Sequence, residues 1–157
     1  PLTAKIDDAQ SQVNLLNEKG IVTVFNSYGS GWKVWGNRSS AYPTETDWDT
    51  FVCVRRTKDI IDESIRYSSA QFIDRPIDNA LIDTILESVN QFFRKLQGDG
   101  AIMGGQAWFD QARNPDTELK AGHLLIQYKF TPKPPLERLT YESELTGEYL
   151  VTLSGGE

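Results

Sequence analysis

A long amphipathic segment between two turn-forming stretches constrains this chain more than any other feature. Beyond Asp78, large apolar side chains recur every three or four residues. These residues are Leu81, Ile85, Val89, Phe92 and Leu96, flanked by Ile82, Leu86 and Phe93. Asp78 is suited to cap the first turn, and Gly98 and Gly100 end the pattern. The sequence therefore predicts a helix to about Gln97 that buries one side in a core.

A second helix is predicted upstream of this one, directly after a short strand. Phe51 to Val54 is an apolar, β-branched run that is typical of a buried strand. Thr57 then stands at a good N-cap position for a helix from about Lys58 to Phe72. Asp74-Arg75-Pro76 would end it, because the residue before a proline is disfavoured in the α region. The chain would thus pass from strand to helix at Arg55-Arg56.

Strand patterns lie on both sides of the two helices. They cover Ile21 to Phe25, Trp32 to Trp35, Ala101 to Phe109, Gly122 to Thr131, and Leu136 to Leu145. The first two runs would form a hairpin, and a helix from Ala4 to Lys19 would precede them, ended by Gly20. Gly104-Gly105 indicates a bulge or a close backbone approach inside the third run.

This order of elements predicts an α+β fold. We expect a single domain in which a mixed, largely antiparallel sheet packs against the two main helices. The domain would cover residues 1–145, and residues 146–157 would form an extended C-terminal arm. A length of 157 residues suits one domain. Because the first residue is Pro1 and not methionine, we expect the chain to be a fragment of a longer protein.

Composition and charge argue against several classes of partner. A net charge of -6 disfavours nucleic acid, which a basic surface would bind. The sequence contains no apolar run that would span a bilayer and no N-terminal leader pattern, so no membrane partner is expected. The single cysteine, Cys53, excludes an internal disulfide and would be buried in the predicted strand, which fits folding in the cytoplasm.

No group of residues has the spacing of a catalytic or metal site. His123 is the single histidine, and Cys53 has no second cysteine at metal spacing. Three carboxylate pairs are better explained as solvated faces than as a glycosidase pair: Asp7-Asp8, Asp62-Glu63 and Glu142/Glu144. The four tryptophans are more typical of core and interface positions than of a sugar groove. We therefore expect no enzyme activity, no cofactor and no metal.

Several motifs, each weak alone, occur in an order that resembles one family. A Gly36-Asn37-Arg38 turn follows a tryptophan-rich strand, and the pattern VxVRRTxDII runs from Val52 to Ile61. Later motifs are a leucine-glycine-isoleucine pattern before Gly104, the stretch from Asn114 to Leu124, and TPxPPLExLT from Thr131 to Thr140. Together they resemble the C-terminal part of the tail sheath protein of contractile-tailed bacteriophages and R-type pyocins.

The resemblance implies a structural subunit of a contractile tail. Such subunits stack as hexameric rings around a tail tube and contract to drive the tube through the host envelope. The implied partners are other copies of the subunit, the tail tube protein, the baseplate and the tail terminator. The implied location is the virion, with assembly in the host cytoplasm. The alternative is a phage-derived carbohydrate-active or cell-wall-binding domain. An assay of glycan binding or cleavage would distinguish this alternative from a tail sheath subunit.

The resemblance also implies two contact surfaces, and the residues themselves suggest a third. The arm would add a strand to a neighbouring subunit through Glu148, Tyr149, Leu150, Val151, Thr152 and Leu153. The surface facing the tube would be the polar stripe of the long helix, which consists of Asp83, Glu87, Asn90 and Arg94. Arg55 and Arg56 would either neutralise local acids or form an intersubunit salt bridge, and the sequence does not separate these two possibilities.

Overall fold

The computed structural model describes residues 10–26 and 31–149. Its helices are α1 (Gln12–Asn17), α2 (Val52–Ser69), α3 (Asn79–Gly98) and α4 (Asp116–Lys120). Its strands are β1 (Thr23–Asn26), β2 (Trp32–Trp35), β3 (Ile102–Phe109) and β4 (Ile126–Pro132). Both long helices stand between a strand pair that precedes them and a strand pair that follows them. The predicted α+β class is therefore confirmed.

The strands form two antiparallel hairpins, and the single mixed sheet that we predicted is wrong. β1 pairs with β2, with Thr23 opposite Trp35, and β3 pairs with β4, with Phe109 opposite Ile126. No parallel pair occurs among residues 10–26 and 31–149. Each hairpin has its own helical cover, since β1 contacts α1 and β3 packs on α3. The two hairpins are thus covered by different helices and do not join into one sheet.

The core lies between α3 and the β3–β4 hairpin. Phe93 is its centre, with 1% of its surface exposed. The other buried members of this cluster are Ile61, Val89, Ile102 and Ala107. The Phe93 ring lies 5.9 Å from the ring of Phe130 and 6.1 Å from that of Tyr128. These contacts confirm the predicted apolar side of α3, and they show that Tyr128 and Phe130 of β4 face the core.

Gly105 lets β3 approach α3 closely. A Cβ atom at this position would lie 2.8 Å from Cγ of Phe93 and 3.0 Å from Cβ of Phe130, which is too close for any side chain. The predicted close approach is therefore confirmed. The register irregularity falls between Ile102 and Gly104, next to the predicted glycine pair.

Helix α2 begins earlier than predicted, so the strand over Phe51 to Val54 is wrong. Phe51 is extended and stands at the N-cap position, while Val52 already belongs to the helix. Val54 and Ile61 are the buried residues of α2, and their spacing of seven places them on one helical side. Cys53 points elsewhere and is exposed, contrary to the burial we expected. Thr57 lies inside the helix, where it caps nothing.

The other helix boundaries agree better with the sequence. The α2 helix is followed by a short turn of 3₁₀ helix, Ala70–Phe72, and Asp74 then adopts a φ of 67°. Asp78 caps α3 as predicted, since its Oδ1 accepts from the Leu81 amide at 2.7 Å. Ser11 caps α1, and Gly20 follows with a φ of 72°. The earlier part of the predicted first helix, residues 4–9, lies outside the described residues.

The strand predicted over Leu136 to Leu145 is also wrong. Residues 133–147 adopt neither helix nor strand. Four large side chains on this stretch are exposed: Leu136, Leu139, Tyr141 and Leu145. Pro134 and Pro135 lack the amide protons with which pairing would begin. We call residues 138–149 the C-terminal segment.

Two asparagine side chains use both ends of their amide groups to bind backbone, one within β3 and one just before β4. Asn90 accepts from the Ala107 amide at 2.8 Å and donates to the Ala107 carbonyl at 3.2 Å. Asn114 does the same to Leu125, at 2.8 and 3.0 Å, and also donates to the carbonyl of Asp110. The second contact explains why β4 begins at Ile126, later than the predicted Gly122, since the Leu125 backbone bonds to a side chain instead of a strand.

A tyrosine joins β4 to α2. The hydroxyl of Tyr128 donates to Oδ1 of Asp62 at 2.7 Å. Burial, followed by the hydrogen bond and the negative charge of Asp62, raises the pKa of Tyr128 to about 12. The neutral phenol is therefore the form that the folded domain stabilises.

We expect the domain to lose stability as the pH rises from about 10 towards 12. In this window the unfolded chain releases the Tyr128 proton at its ordinary pKa of 10.0, whereas the folded chain keeps it. The contribution is complete below pH 10 and is lost as the pH rises through the folded pKa. Denaturant unfolding at a series of pH values should show this slope, and Tyr128→Phe should reduce it. Tyr67→Phe, at an exposed position of α2, is the control. Equal slopes for both variants would contradict the assignment.

Candidate functional site

The described residues offer little for chemistry. They contain no group of three or more histidine, cysteine, aspartate or glutamate side chains that could hold a metal ion. His123 lies before β4 and contacts Glu118 of α4, with Nδ1 2.9 Å from Oε2, whereas Cys53 lies on α2. None of the helices described is both long and apolar enough to cross a bilayer. The candidate functional features of the described residues are therefore surfaces.

The four tryptophans belong to separate parts of the molecule. Trp32 and Trp35 fall on opposite faces of β2, Trp48 lies in a short 3₁₀ turn before α2, and Trp108 lies in β3. Trp108 is stacked against Lys129, whose Nζ is 5.5 Å from the ring centroid. The four rings therefore do not line one sugar groove.

The outer stripe of α3 is smaller than predicted. Asp83, Glu87 and Arg94 are exposed, and Arg94 pairs with Glu87. Asn90, which we expected beside them, is wrongly assigned to this stripe, because both ends of its amide bind the backbone of Ala107 in β3. The exposed stripe thus consists of three charged residues on the side of α3 that faces away from the core.

Arg55 and Arg56 stand in the first turns of α2 and not at a junction between strand and helix. Nε of Arg55 lies 3.1 Å from Oδ1 of Asp59, one turn along the same helix. This contact agrees with the local neutralisation of acids that we considered. Arg56 is exposed beside it. The intersubunit alternative concerns a partner chain and stays a prediction.

One face of the β1–β2 hairpin exposes apolar side chains, which our sequence analysis missed. Val24 stands directly opposite Val34, and Trp32 shares their face. All three are exposed, by 51%, 71% and 58%. The other face is turned inward, where Thr23 is buried. The signal was present in the sequence, because both faces of these strands carry apolar residues.

A groove of about 780 Å³ opens between the end of α2, the first half of α3 and the start of β4. Its lining is mostly apolar and includes Ile65, Phe72, Ile77, Leu81, Ile85 and Leu124. Asp74 and Arg75 add charge where the chain turns from α2 to α3. Nothing in this groove suggests catalysis, and its surface resembles a protein contact more than a reaction site.

The predicted arm is only partly described. Glu148 and Tyr149 lie in a 3₁₀ turn, and the Glu148 amide donates to Oγ1 of Thr146 at 3.2 Å. The remaining residues of the predicted strand, Leu150 to Leu153, lie outside the described residues. Tyr149 is exposed. The addition of this strand to a neighbour stays a prediction.

Arg38 organises a contact that sequence reasoning also missed. Its Nε and Nη2 donate to the two carboxylate oxygens of Glu137 at 3.0 and 2.8 Å, and this pairing raises the pKa of Arg38 above its ordinary value. Nη1 donates to Oγ1 of Thr50 at 2.6 Å. The guanidinium carbon lies 3.6 Å above the centre of the Phe51 ring and 5.0 Å from that of Tyr42. Arg38 thus ties the chain after β4 to the loop before α2.

The fold is similar to that of chains in two solved structures. It is similar to a chain of the anti-feeding prophage baseplate, with a TM-score of 0.75 and 20% identity, covering 84% of this chain and 38% of that one. It is equally similar, with a TM-score of 0.75 and 16% identity, to a chain of the sheath complex of an extracellular contractile injection system in its contracted state. That match covers 88% of this chain and 40% of the other. The fold is one found in contractile injection systems.

Sequence comparison identifies the family. The family model described as the phage tail sheath C-terminal domain matches residues 45–146, and the chain belongs to this family. The tail sheath protein of Burkholderia phage BcepMu is 65% identical over 99% of this chain and 33% of its own length. That of Escherichia phage P2 is 32% identical over 94% of this chain and 36% of its own. The chain spans about a third of the length of these curated relatives.

Proposed function

We propose that this chain is the C-terminal part of a structural subunit of a phage contractile tail sheath. The complete subunit polymerises around the tail tube and contracts to drive the tube through the host envelope. The observation that carries this proposal is the 65% identity, over 99% of this chain, to the tail sheath protein of phage BcepMu. The role is structural, as the family implies, and requires no cofactor.

The exposed apolar surfaces support a role in assembly. A soluble monomer rarely leaves large apolar side chains together on its surface unless a partner covers them. Here the hairpin face formed by Val24, Trp32 and Val34 is exposed, and so are the leucine and tyrosine side chains of the C-terminal segment. Contact with further copies of the subunit in hexameric rings would bury such surfaces.

The arm is the part of this proposal that links subunits. Residues 146–157 would leave their own domain and add a strand to the sheet of a neighbouring subunit, through Glu148 to Leu153. Alternation in this stretch gives the added strand two faces, with Tyr149, Val151 and Leu153 on one of them. The exposure of Leu139, Tyr141 and Leu145 supports an arm that already separates from the domain before residue 146.

The remaining proposed contacts are polar. The outer stripe of α3, reduced to Asp83, Glu87 and Arg94, would face the tail tube. Arg56, with Arg55 beside it, would pair with an acidic side chain of a neighbouring subunit, at a small gain in free energy because both arginines are exposed. The ends of the sheath would meet the baseplate and the tail terminator. Assembly would take place in the host cytoplasm before release of the virion.

Truncating the arm tests this function. We expect a full-length subunit that lacks residues 146–157 to unfold at the same temperature as the unaltered protein and to form no extended sheaths by negative-stain electron microscopy. The physical reason is that a strand exchanged between subunits contributes backbone hydrogen bonds to assembly and none to the isolated domain.

The matched control removes only residues 154–157, which follow the proposed strand, and should assemble normally. Normal sheaths from the longer truncation would show that this strand does not link subunits. Failure of the unaltered full-length protein to form any sheath when it is produced with its tube protein would overturn the proposed function itself.

A further inference from the structure

We propose that Arg38 is a positioning residue that fixes Glu137, and thereby fixes the point and direction at which the C-terminal segment leaves the domain. The inference rests on the proposed function, because a segment that links subunits must leave each subunit in the same direction. The observation behind this inference is the bidentate contact between Arg38 and Glu137, which lie 99 positions apart in the chain.

Arg38 is held independently of Glu137. Nη1 of Arg38 donates to Oγ1 of Thr50 at 2.6 Å, and the guanidinium carbon lies 3.6 Å from the centre of the Phe51 ring. Thr50 and Phe51 are both buried, with 2% and 7% of their surfaces exposed. The arginine side chain itself is only 15% exposed. The two remaining donors, Nε and Nη2, therefore point outward as a rigid fork that matches a carboxylate.

Glu137 enters this fork from a stretch that has little other attachment. Leu136 before it and Leu139 after it are exposed by 75% and 58%, so neither is anchored in the core. Each of the other ion pairs among the described residues joins positions no more than seven apart. Among the ion pairs of the described residues, the Arg38–Glu137 pair is thus the one that joins segments distant in the sequence.

The contact between Arg38 and Glu137 positions the C-terminal segment but is not part of the domain core. The domain core lies between α3 and the β3–β4 hairpin, and neither Arg38 nor Glu137 belongs to it. Because the Glu137 side chain is 44% exposed, water can replace much of the hydrogen bonding that it loses when the contact with Arg38 is removed. Without the bidentate contact, the C-terminal segment would lose its fixed direction, while the domain that carries it would stay folded.

Spin-label distance measurements test this proposal on the full-length subunit before assembly, with other accessible cysteines replaced. Labels are attached at Asp83→Cys on α3 and at Glu142→Cys in the C-terminal segment, both at exposed positions. We expect one narrow distance peak in the otherwise unaltered protein. Glu137→Gln removes the charge and one acceptor, and should lose that peak in favour of a broad distribution. Glu144→Gln, an exposed glutamate in the same segment, should keep it.

The unfolding midpoint gives the second readout. It should be unchanged in Glu137→Gln, and Arg38→Gln should broaden the distance distribution in the same way. A narrow, unaltered peak in Glu137→Gln would overturn the proposal, since other contacts would then hold the segment. A lowered unfolding midpoint in Glu137→Gln would overturn it as well, because the pair would then stabilise the domain itself. Both results are independent of sheath formation, so their failure is distinguishable from failure of the proposed function.

Discussion

Replacing Phe93 by alanine is expected to lower the free energy of unfolding by about 3–5 kcal/mol, the range for removing a large side chain from a close-packed core. Phe93 is 1% exposed and its ring contacts both Tyr128 and Phe130 on β4. The cavity would open between α3 and the β3–β4 hairpin, where Gly105 already brings the backbone close. Chemical denaturation followed by tryptophan fluorescence measures the loss.

The matched control is Phe92→Ala, the same substitution one position earlier on α3. Phe92 is only partly buried and packs against the edge of the cluster, so its truncation leaves a site that water and neighbouring side chains can fill. We expect a clearly smaller loss of stability. Equal losses at the two positions would mean that the helix is rotated relative to the hairpin from the orientation described here.

Replacing Asn114 by leucine is expected to cost on the order of 3 kcal/mol or more, because each buried backbone group left without a partner costs about 1–3 kcal/mol. Asn114 is 2% exposed and binds three part-buried backbone groups: the amide and carbonyl of Leu125 and the carbonyl of Asp110. Leucine has nearly the same size but satisfies none of them. Denaturant unfolding again provides the measurement.

Asn90→Leu is the control for this substitution. Asn90 makes the same two-ended contact with Ala107, but it is only half-buried and binds two groups where Asn114 binds three. Asn90→Leu should therefore lower the free energy of unfolding by less than Asn114→Leu does. A nearly neutral Asn114→Leu would show that water reaches the Leu125 backbone and that the side chain does not organise the start of β4.

The elements recovered from the sequence are those whose signal is local. Helix α3 has a long apolar period, a capping aspartate and terminal glycines, and all of these act within one stretch of chain. Phe51 to Val54 is too short for its period to separate strand from helix. The structure shows that the helix runs through Arg55 and Arg56, which places Val54 on the same buried side as Ile61.

The site features that the sequence did not predict depend on partners far away in the chain. Asn90 sits among polar residues of a predicted helix face, and only the position of β3 shows that its amide binds Ala107. Arg38 and Glu137 both lie inside family-like motifs, yet no spacing rule joins residues 99 positions apart. The β1–β2 hairpin was predicted correctly because its strands are adjacent in the chain, whereas the pairing of β3 with β4 was not specified, because a strand pattern does not name the strand beside it.

We propose that this domain belongs to a sheath subunit whose exposed surfaces meet other copies and the tail tube. Helical reconstruction by cryo-electron microscopy, using the full-length protein produced with its tube protein, tests it most directly. We expect a sheath in which residues 148–153 form a strand on a neighbouring copy and in which Asp83 and Glu87 face the tube. A full-length protein that stays monomeric beside bare tubes, or a sheath whose arm folds back on its own domain, would contradict it.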